Sequence, residues 1–473
     1  MTRFRIDSTW RRPNKGQVLL AGSPMKMFRL GESGTKVIEQ IERSDDTDSS
    51  GAPLVNRLLD AGAIFPQIST PMTYRISDVT VVIPVHAKRS KSVADLNKIV
   101  AGLNECAEII VVDDVSPYPI EPTHDWPDNC RVVLHRVNKG PGGARNTGLA
   151  EVATDLVAFI DVDTNVTGSD LQYLLSHFDI DQVGAVAPRI VGAVAAKKSL
   201  LRLQQCDLLA RFEETESQLD LGDESARVRS GSRVSYVPSA CLIARTSLIK
   251  NIGGFDESLR TGEDVDLVWR LDQEGSMVLY ESAVVVTHAP RTTLRDWYHQ
   301  RKGYGQSAAP LANRHPDALA PLLINPWSLG IWILVAMRKN IIALGIAGWT
   351  TVSLAKKLTA LPNNYLESAR LVALGHWHAG TAIAKAAARV WLPALLVASL
   401  FSKRLRRFML GSAMLPPLID WIRKRPRLDP VRYVVLRIWG DLAYAIGVWE
   451  GCIEHRNEKP LLPRITLWSS NDD

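Results

Sequence analysis

From residue 79 to about residue 290, short unbroken apolar runs alternate with stretches whose apolar residues recur at helical spacing. Val79-Thr80-Val81-Val82-Ile83 ends at Pro84, and Glu108 to Val112, Arg131 to Leu134 and Leu156 to Ile160 are runs of the same kind. Runs this short, bounded by polar or turn residues, predict buried strands. Ser92 to Leu103 predicts a helix between the first two strands, and Gly142 to Val152 predicts one opened by glycines. Strand and helix in alternation predict an α/β fold built on a parallel sheet.

The flanks follow other patterns. Val18 to Gly22 and Met25 to Leu30 predict two short strands around Gly22-Ser23-Pro24. Val37, Ile38 and Ile41 share a helix face after Ser33-Gly34-Thr35, and Leu54, Leu58 and Leu59 share a second beyond a polar loop from Asp45 to Gly51. A strand pair and two helices in so short a length predict a winged-helix-like unit over residues 1–76, with a core too small to stand alone. Downstream, Leu322 to Met337 and Ile341 to Leu354 are apolar but parted by Arg338-Lys339-Asn340. Ala382 to Ser402 carries Lys385, Arg389 and Pro393, and Val431 to Ile453 carries Arg437, Asp441 and Glu450. None is an uncharged stretch of the ~20 residues that a membrane-crossing helix needs. Residues 318–473 therefore predict helices lying in a membrane interface, with one or two spans at most, against the alternative of a soluble helical domain. The α/β domain between them takes residues 77–317.

Composition sharpens this division. A chain of 473 residues exceeds one typical domain, and 46% apolar with 22% charged residues excludes bulk disorder. Much of the net charge of +6 lies in Lys403-Arg404-Leu405-Arg406-Arg407 and Arg423-Lys424-Arg425-Pro426-Arg427. Basic clusters beside apolar segments suit an anionic membrane face and argue against nucleic acid as partner. Cys106, Cys130, Cys206, Cys241 and Cys452 form no C-x-x-C pair and predict reduced core residues. No apolar run precedes Pro13, so no secretory signal is expected and the α/β domain is assigned to the cytosol, at the cytoplasmic face of the cell membrane.

The chemistry is carried by carboxylates. Asp113-Asp114 and Asp161-Val162-Asp163 each follow a predicted strand, and Gly262-Glu263-Asp264-Val265-Asp266 comes later. Ligands of open α/β sheets collect at the carboxyl ends of strands. Carboxylates there suit a hard divalent ion, Mg²⁺ or Mn²⁺, holding a nucleotide diphosphate. Asp163 is the leading metal ligand, with Asp161 on the metal or a ribose, and the third cluster can supply a general base. Asn138-Lys139-Gly140-Pro141-Gly142-Gly143-Ala144-Arg145-Asn146 is a glycine-rich turn into a helix, where exposed amides suit an anion and Arg145 can reach a phosphate or a base. It is not a Walker A loop, because no G-K-[ST] follows at the required spacing. Trp297, Tyr298 and Tyr304 offer faces for stacking on an acceptor sugar or aromatic ring, or else core packing.

Six motifs stand in one order: Val81 to His86, Ile109 to Ser116, Asn138 to Asn146, Ile160 to Asp163, Gly253 to Glu257 and Gly262 to Arg270. In that order they resemble the family 2 glycosyltransferases. The resemblance implies a GT-A (Rossmann-like) mixed sheet and an inverting, metal-dependent transfer from a nucleotide sugar. It implies that Pro84, Asp113, Asp114, Lys139, Arg145 and Asp161 bind the nucleotide sugar, with Asp113 on the uracil ring. It implies Asp161 and Asp163 as the D-x-D pair, His288 as a further metal ligand, Asp264 as the base and Glu263 as its partner or an acceptor ligand. Val115 stands where the family has the glycine of Asp-Asp-Gly-Ser, Ser239 replaces a common glycine, and Q-x-x-R-W is absent.

The arrangement resembles more narrowly the glycosyltransferases of the mycofactocin system, through the N-terminal unit and the Tyr304-Gly305 … Arg314-His315-Pro316 stretch. That resemblance implies a PqqD-like peptide-recognition domain at residues 1–76. It further implies glucose transfer from UDP-glucose, building a β-1,4 glucan on a peptide-derived small-molecule acceptor. Two other readings stay open on the residues alone: sugar transfer to a lipid or cell-envelope polymer, which the apolar C-terminal region favours, and a non-catalytic peptide-binding adaptor. A nucleotidyltransferase also uses metal-binding carboxylates, but the set of six motifs disfavours it.

Overall fold

The computed structural model describes residues 3–44, 53–67, 73–193, 204–316, 318–359, 361 and 363–466. The chain opens with β1 (Arg3–Ile6), β2 (Val18–Ala21), β3 (Lys26–Arg29), α1 (Glu32–Glu42), α2 (Pro53–Asp60) and β4 (Ile64–Gln67). β2 and β3 pair as their patterns predict, and β1, which the pattern did not mark, pairs antiparallel with β4. Ile38 and Ile41 on α1 and Val55, Leu58 and Leu59 on α2 are the buried positions, which is what the helical spacing required. The polar loop expected from Asp45 to Gly51 lies outside the described residues.

The sheet begins with β5 (Val79–Val85), α3 (Ser90–Gly102), β6 (Glu108–Asp113), β7 (Cys130–Leu134), α4 (Gly140–Glu151) and β8 (Leu156–Ile160). It continues through β9 (Thr164–Asn165), α5 (Gly168–Leu175), β10 (Val183–Gly192), α6 (Gln205–Glu216), β11 (Ala226–Val228), β12 (Cys241–Arg245), α7 (Thr246–Asn251), α8 (Glu263–Gln273) and β13 (Met277–His288). The order across the sheet is β11-β13-β10-β12-β8-β5-β6-β7, with β9 on β13. β7, β6, β5 and β8 are parallel, and β12 enters antiparallel between β8 and β10. The all-parallel expectation thus holds for the first four strands of the sheet, and the whole sheet is mixed. After β5 the chain builds outward through β6 and β7, then returns to place β8 on the other side. The crevice at the carboxyl ends of β5 and β8 is therefore a switch point, the place where such sheets leave room for a ligand.

Residues 1–12 with 19–291 form one compact unit, and residues 13–18 with 292–473 form another. Within the first, a single apolar cluster runs from Leu19, Ile38, Leu58 and Ile64 to Val81, Ile109 and Ile160. The small N-terminal core is completed by the sheet domain, as its size requires. Ion pairs fasten the same boundary: Arg233 reaches Asp7 at 2.8 Å, and Arg229 reaches Asp60 at 2.8 Å. The cysteines are all free, and Cys106, Cys241 and Cys452 are buried.

The second unit is helical, with α9 (Leu294–Gln306), α10 (Ala308–Arg314), α11 (Pro326–Ala336), α12 (Asn340–Lys357), α13 (Asn364–Arg389), α14 (Leu392–Phe401), α15 (Lys403–Lys424) and α16 (Pro430–Glu454). α9 and α16 touch backbone to backbone at their glycines. A Cβ on Gly305 would lie 2.1 Å from the Tyr444 carbonyl oxygen, and one on Gly447 would lie 2.0 Å from that of Lys302. No single helix among the described residues is long and apolar enough to cross a membrane, although α13 and α14 together, bent by 87°, reach that length and composition.

Candidate active site

The cleft at the switch point measures about 600 Å³ and is walled by Pro84, Val85, Asp114, Arg145, Asp161 and Asp163 among others. Two of the three acidic motifs are placed by strands that stop: β6 ends at Asp113, and β8 ends at Ile160 immediately before Asp161.

Asp114 is buried and spent. Its carboxylate accepts the amides of Lys139 at 2.7 Å and Gly140 at 2.8 Å, and His135 Nδ1 lies 2.8 Å from the same group. The glycine-rich turn was expected to offer its amides to a bound anion, but at the first two positions that anion is Asp114 itself. Gly140 makes the approach possible with φ +80°, a conformation that side chains disfavour. Asp114 and the Lys139 amide therefore brace the loop. Lys139 itself is exposed and does not line the cleft. Asp113 is buried beside the cleft, its Oδ1 accepting the Ser116 amide at 2.8 Å.

Arg145 also departs from expectation. Its guanidinium is buried under the cleft floor, donating from Nη2 to Asp161 Oδ1 at 2.6 Å and from Nη1 to Glu263 Oε1 at 2.8 Å. It stacks on the Phe255 ring at 5.4 Å. Burial opposes its charge, but the Asp161 and Glu263 carboxylates more than compensate and raise its pKa. Through its two terminal nitrogens Arg145 ties Asp161, just past β8, to the first turn of α8.

Glu263 and Asp264 open α8 after Gly262, whose φ of +86° turns the chain into the helix. Burial, then the neighbouring Asp264 charge, pushes Glu263 up to about 7 against the pull of Arg145. Burial likewise raises Asp264, whose Oδ1 accepts the Val265 amide at 2.8 Å. A carboxylate pair that keeps a proton near neutrality is suited to accept one from a hydroxyl. Asp266 is fully buried on Arg270 at 2.7 Å, a structural pair.

Asp163 meets His288: Nε2 lies 3.1 Å from Oδ1, and Arg291 stands 4.0 Å from Oδ2. Burial opposes ionisation of Asp163, but His288 and Arg291 hold its pKa down; the Asp163 charge raises His288 in turn. Among the described residues no three His, Cys, Asp or Glu groups stand ready-assembled around a metal position. The donors nonetheless fit a divalent ion. Two carboxylates that reach the cleft and an imidazole nitrogen 3.1 Å from one of them form an O,O,N set, which Mn²⁺ accepts readily and Mg²⁺ less so. Asp161 is paired with the Arg145 guanidinium and Asp163 with the His288 imidazole, contacts that an ion would have to displace or share.

Trp297, Tyr298 and Tyr304 belong to the helical unit and pack inside it. Trp297 is 1% exposed with Arg301 stacked on it, Tyr298 meets Trp439 at 5.6 Å, and the Tyr304 hydroxyl accepts from Gln300 at 3.1 Å. Core packing, the alternative weighed for them, accounts for Trp297 outright. The motifs did not include Lys88 or Arg260, which line the cleft. These lie on loops, where neither periodicity nor spacing carries a signal.

Residues 80–249 match the model of glycosyl transferase family 2. The chain is 38% identical over 473 residues to the pre-mycofactocin glycosyltransferase of Mycobacterium tuberculosis (strain H37Rv), covering 98% of this chain and 97% of that one. It is 26% identical over 206 residues to the succinoglycan biosynthesis protein ExoO of Rhizobium meliloti, covering 42% and 57%. Among solved structures, the mannosyltransferase PcManGT from Pyrobaculum calidifontis in complex with GDP-Man and Mn²⁺ aligns at 16% identity with a TM-score of 0.38, over 73% of this chain and 88% of that one.

Proposed function

Since the chain belongs to the pre-mycofactocin glycosyltransferases, within glycosyltransferase family 2, we propose that it moves glucose from UDP-glucose to a hydroxyl of the peptide-derived pre-mycofactocin, with inversion at the anomeric carbon. It is a GT-A glycosyltransferase, and the adaptor reading falls with that. The observation that carries the mechanism is the Arg145 clamp. Through one buried guanidinium it holds Asp161, at the nucleotide end of the cleft, to the turn that bears Glu263 and Asp264.

Asp264 takes the proton of the acceptor hydroxyl as its oxygen bonds to the anomeric carbon. The bond from that carbon to the diphosphate oxygen breaks in line, and UDP leaves with the electron pair. Glu263 shares the proton inventory of the pair and keeps Arg145 in place. Asp163, with Asp161 and His288, would hold Mn²⁺ or Mg²⁺, which when bound neutralises charge developing on the diphosphate. The N-terminal segment of residues 1–76 suits the peptide part of the acceptor; its described strands and helices pack on the sheet domain.

In a test with Mn²⁺ and a panel of nucleotide sugars, UDP-glucose is expected to be preferred. Asp264→Asn is expected to lose about 10²- to 10⁴-fold in turnover while binding donor as wild type does. An Asp264→Asn enzyme of normal turnover would remove Asp264 from this role.

The same reading sets the enzyme at the cytoplasmic face of the cell membrane. Supporting it, α11, α12, α14 and α15 expose large apolar side chains, with Ile341 at 87% and Phe401 at 85%, and Lys403, Arg404, Arg406 and Arg407 follow directly on Phe401. This apolar surface also favours a second reading, transfer to a lipid-borne or cell-envelope acceptor.

A further inference from the structure

The cleft is short of free positive charge. Asp114, Asp161 and Asp163 line it, and of its cations Arg145 is bound to two carboxylates. Lys88 and Arg260 also line it, and neither has a carboxylate partner among the described residues. Arg260 is anchored by a neighbour. Its Nη1 donates to Asn138 Oδ1 at 3.1 Å. Its guanidinium lies over Gly140, where a Cβ would come within 2.6 Å of Nη1. Gly140 thus leaves the space that Arg260 fills, at the mouth of the cleft and at the start of α4.

A nucleotide diphosphate brings two or more negative charges into this acidic site, and a planar guanidinium matches phosphate oxygens with two parallel donors where an ammonium offers a point charge. Resting on the donor assignment above, we propose that Arg260 grips the diphosphate of the nucleotide-sugar donor, the task that the buried Arg145 is not free to perform. The Asn138 contact and the Gly140 seat hold the guanidinium in reserve. Arg260 stands three residues before Glu263, on the same turn that carries the base. Donor binding and acceptor activation are therefore handled by one short segment.

The test compares uridine, UMP and UDP binding by calorimetry to the full-length protein in Mn²⁺, for wild type, Arg260→Gln and Arg260→Lys, with circular dichroism as the fold control. Arg260→Gln should weaken UDP binding about 10- to 100-fold and leave uridine unchanged, with Arg260→Lys recovering part of the loss. Undiminished preference for UDP over uridine in a folded Arg260→Gln protein would overturn this assignment alone. So would equal loss of both ligands. Wild-type protein that binds none of the three would overturn it together with the donor reading.

Discussion

Val115 holds φ at +62° where the family carries glycine, on the wall of the cleft. A β-branched residue in the left-handed region costs about 1–2 kcal/mol. The turn persists because Asp113 accepts the Ser116 amide and Ser116 Oγ accepts the Ala87 amide at 2.8 Å. Val115→Gly relieves that strain but enlarges the unfolded ensemble by up to about 1 kcal/mol. The expected thermal midpoint is thus at or above wild type, where Val→Gly in an ordinary strand would lower it. A clear drop in the melting curve would mean that the turn stores no strain. The departure from the family was legible in the sequence, and its backbone consequence needed the turn. Charge behaves in the same way. Glu263 is raised to about 7 from an ordinary 4.5. The folded state therefore loses stability as pH rises from 4.5 to about 7, where the unfolded carboxyl has ionised and the folded one still holds its proton. Turnover should climb as pH passes through about 7 and the pair gives up its proton. Removing the guanidinium in Arg145→Met should move that limb to higher pH, read from initial rates across pH 5–9. An unmoved limb would uncouple Arg145 from the base.

Elements repeat the lesson at larger spacing. The apolar runs marked β5, β6, β7 and β8 to within a residue or two; β6 and β8 end where the run meets a carboxylate, whereas β5 passes through Pro84 to Val85, so the proline did not end it. Helical spacing marked α1 to α4 in the same way. It could not say which helix meets which, since a 3.6-residue period reports an apolar face and not its partner. The α9–α16 contact is the clearest case. Gly305, Gly447 and Gly451 read as poor helix formers, yet Gly447 and Gly451 allow α16 to lie against the Lys302 and Gln306 carbonyls. Gly447→Leu is expected to cost about 3 kcal/mol or more through overpacking. Gly375→Ala on α13, whose Cβ position meets nothing within 4 Å, should gain roughly 0.5–1 kcal/mol. Thermal or chemical denaturation separates the two, and a harmless Gly447→Leu would refute the close contact.

At the scale of the whole molecule, the proposed membrane seat follows from apolar surface and basic charge together. Each Lys or Arg near an anionic surface contributes about 1 kcal/mol. The full chain should float with phosphatidylglycerol-containing vesicles at low salt and less with phosphatidylcholine alone. Reversing Lys403, Arg404, Arg406 and Arg407 to Glu should release it without changing donor hydrolysis. Binding indifferent to lipid charge would leave only the apolar surface as a cause, and no binding would remove the membrane from the account. The amino-acid sequence by itself determined the strands β5 to β8, the motifs that follow them and the family, because each is written in neighbouring residues. Tertiary structure alone decided which charges remain available. Arg145 meets Glu263 across 118 positions, and Asp114 meets Gly140 across 26. Those meetings follow from the sheet order, and they consume two groups that the motifs offered to the nucleotide. They leave Arg260 and Lys88, which no motif named, without a carboxylate partner among the described residues. A charged side chain does its chemistry only after its nearest neighbours have been satisfied, and those neighbours are set by the fold.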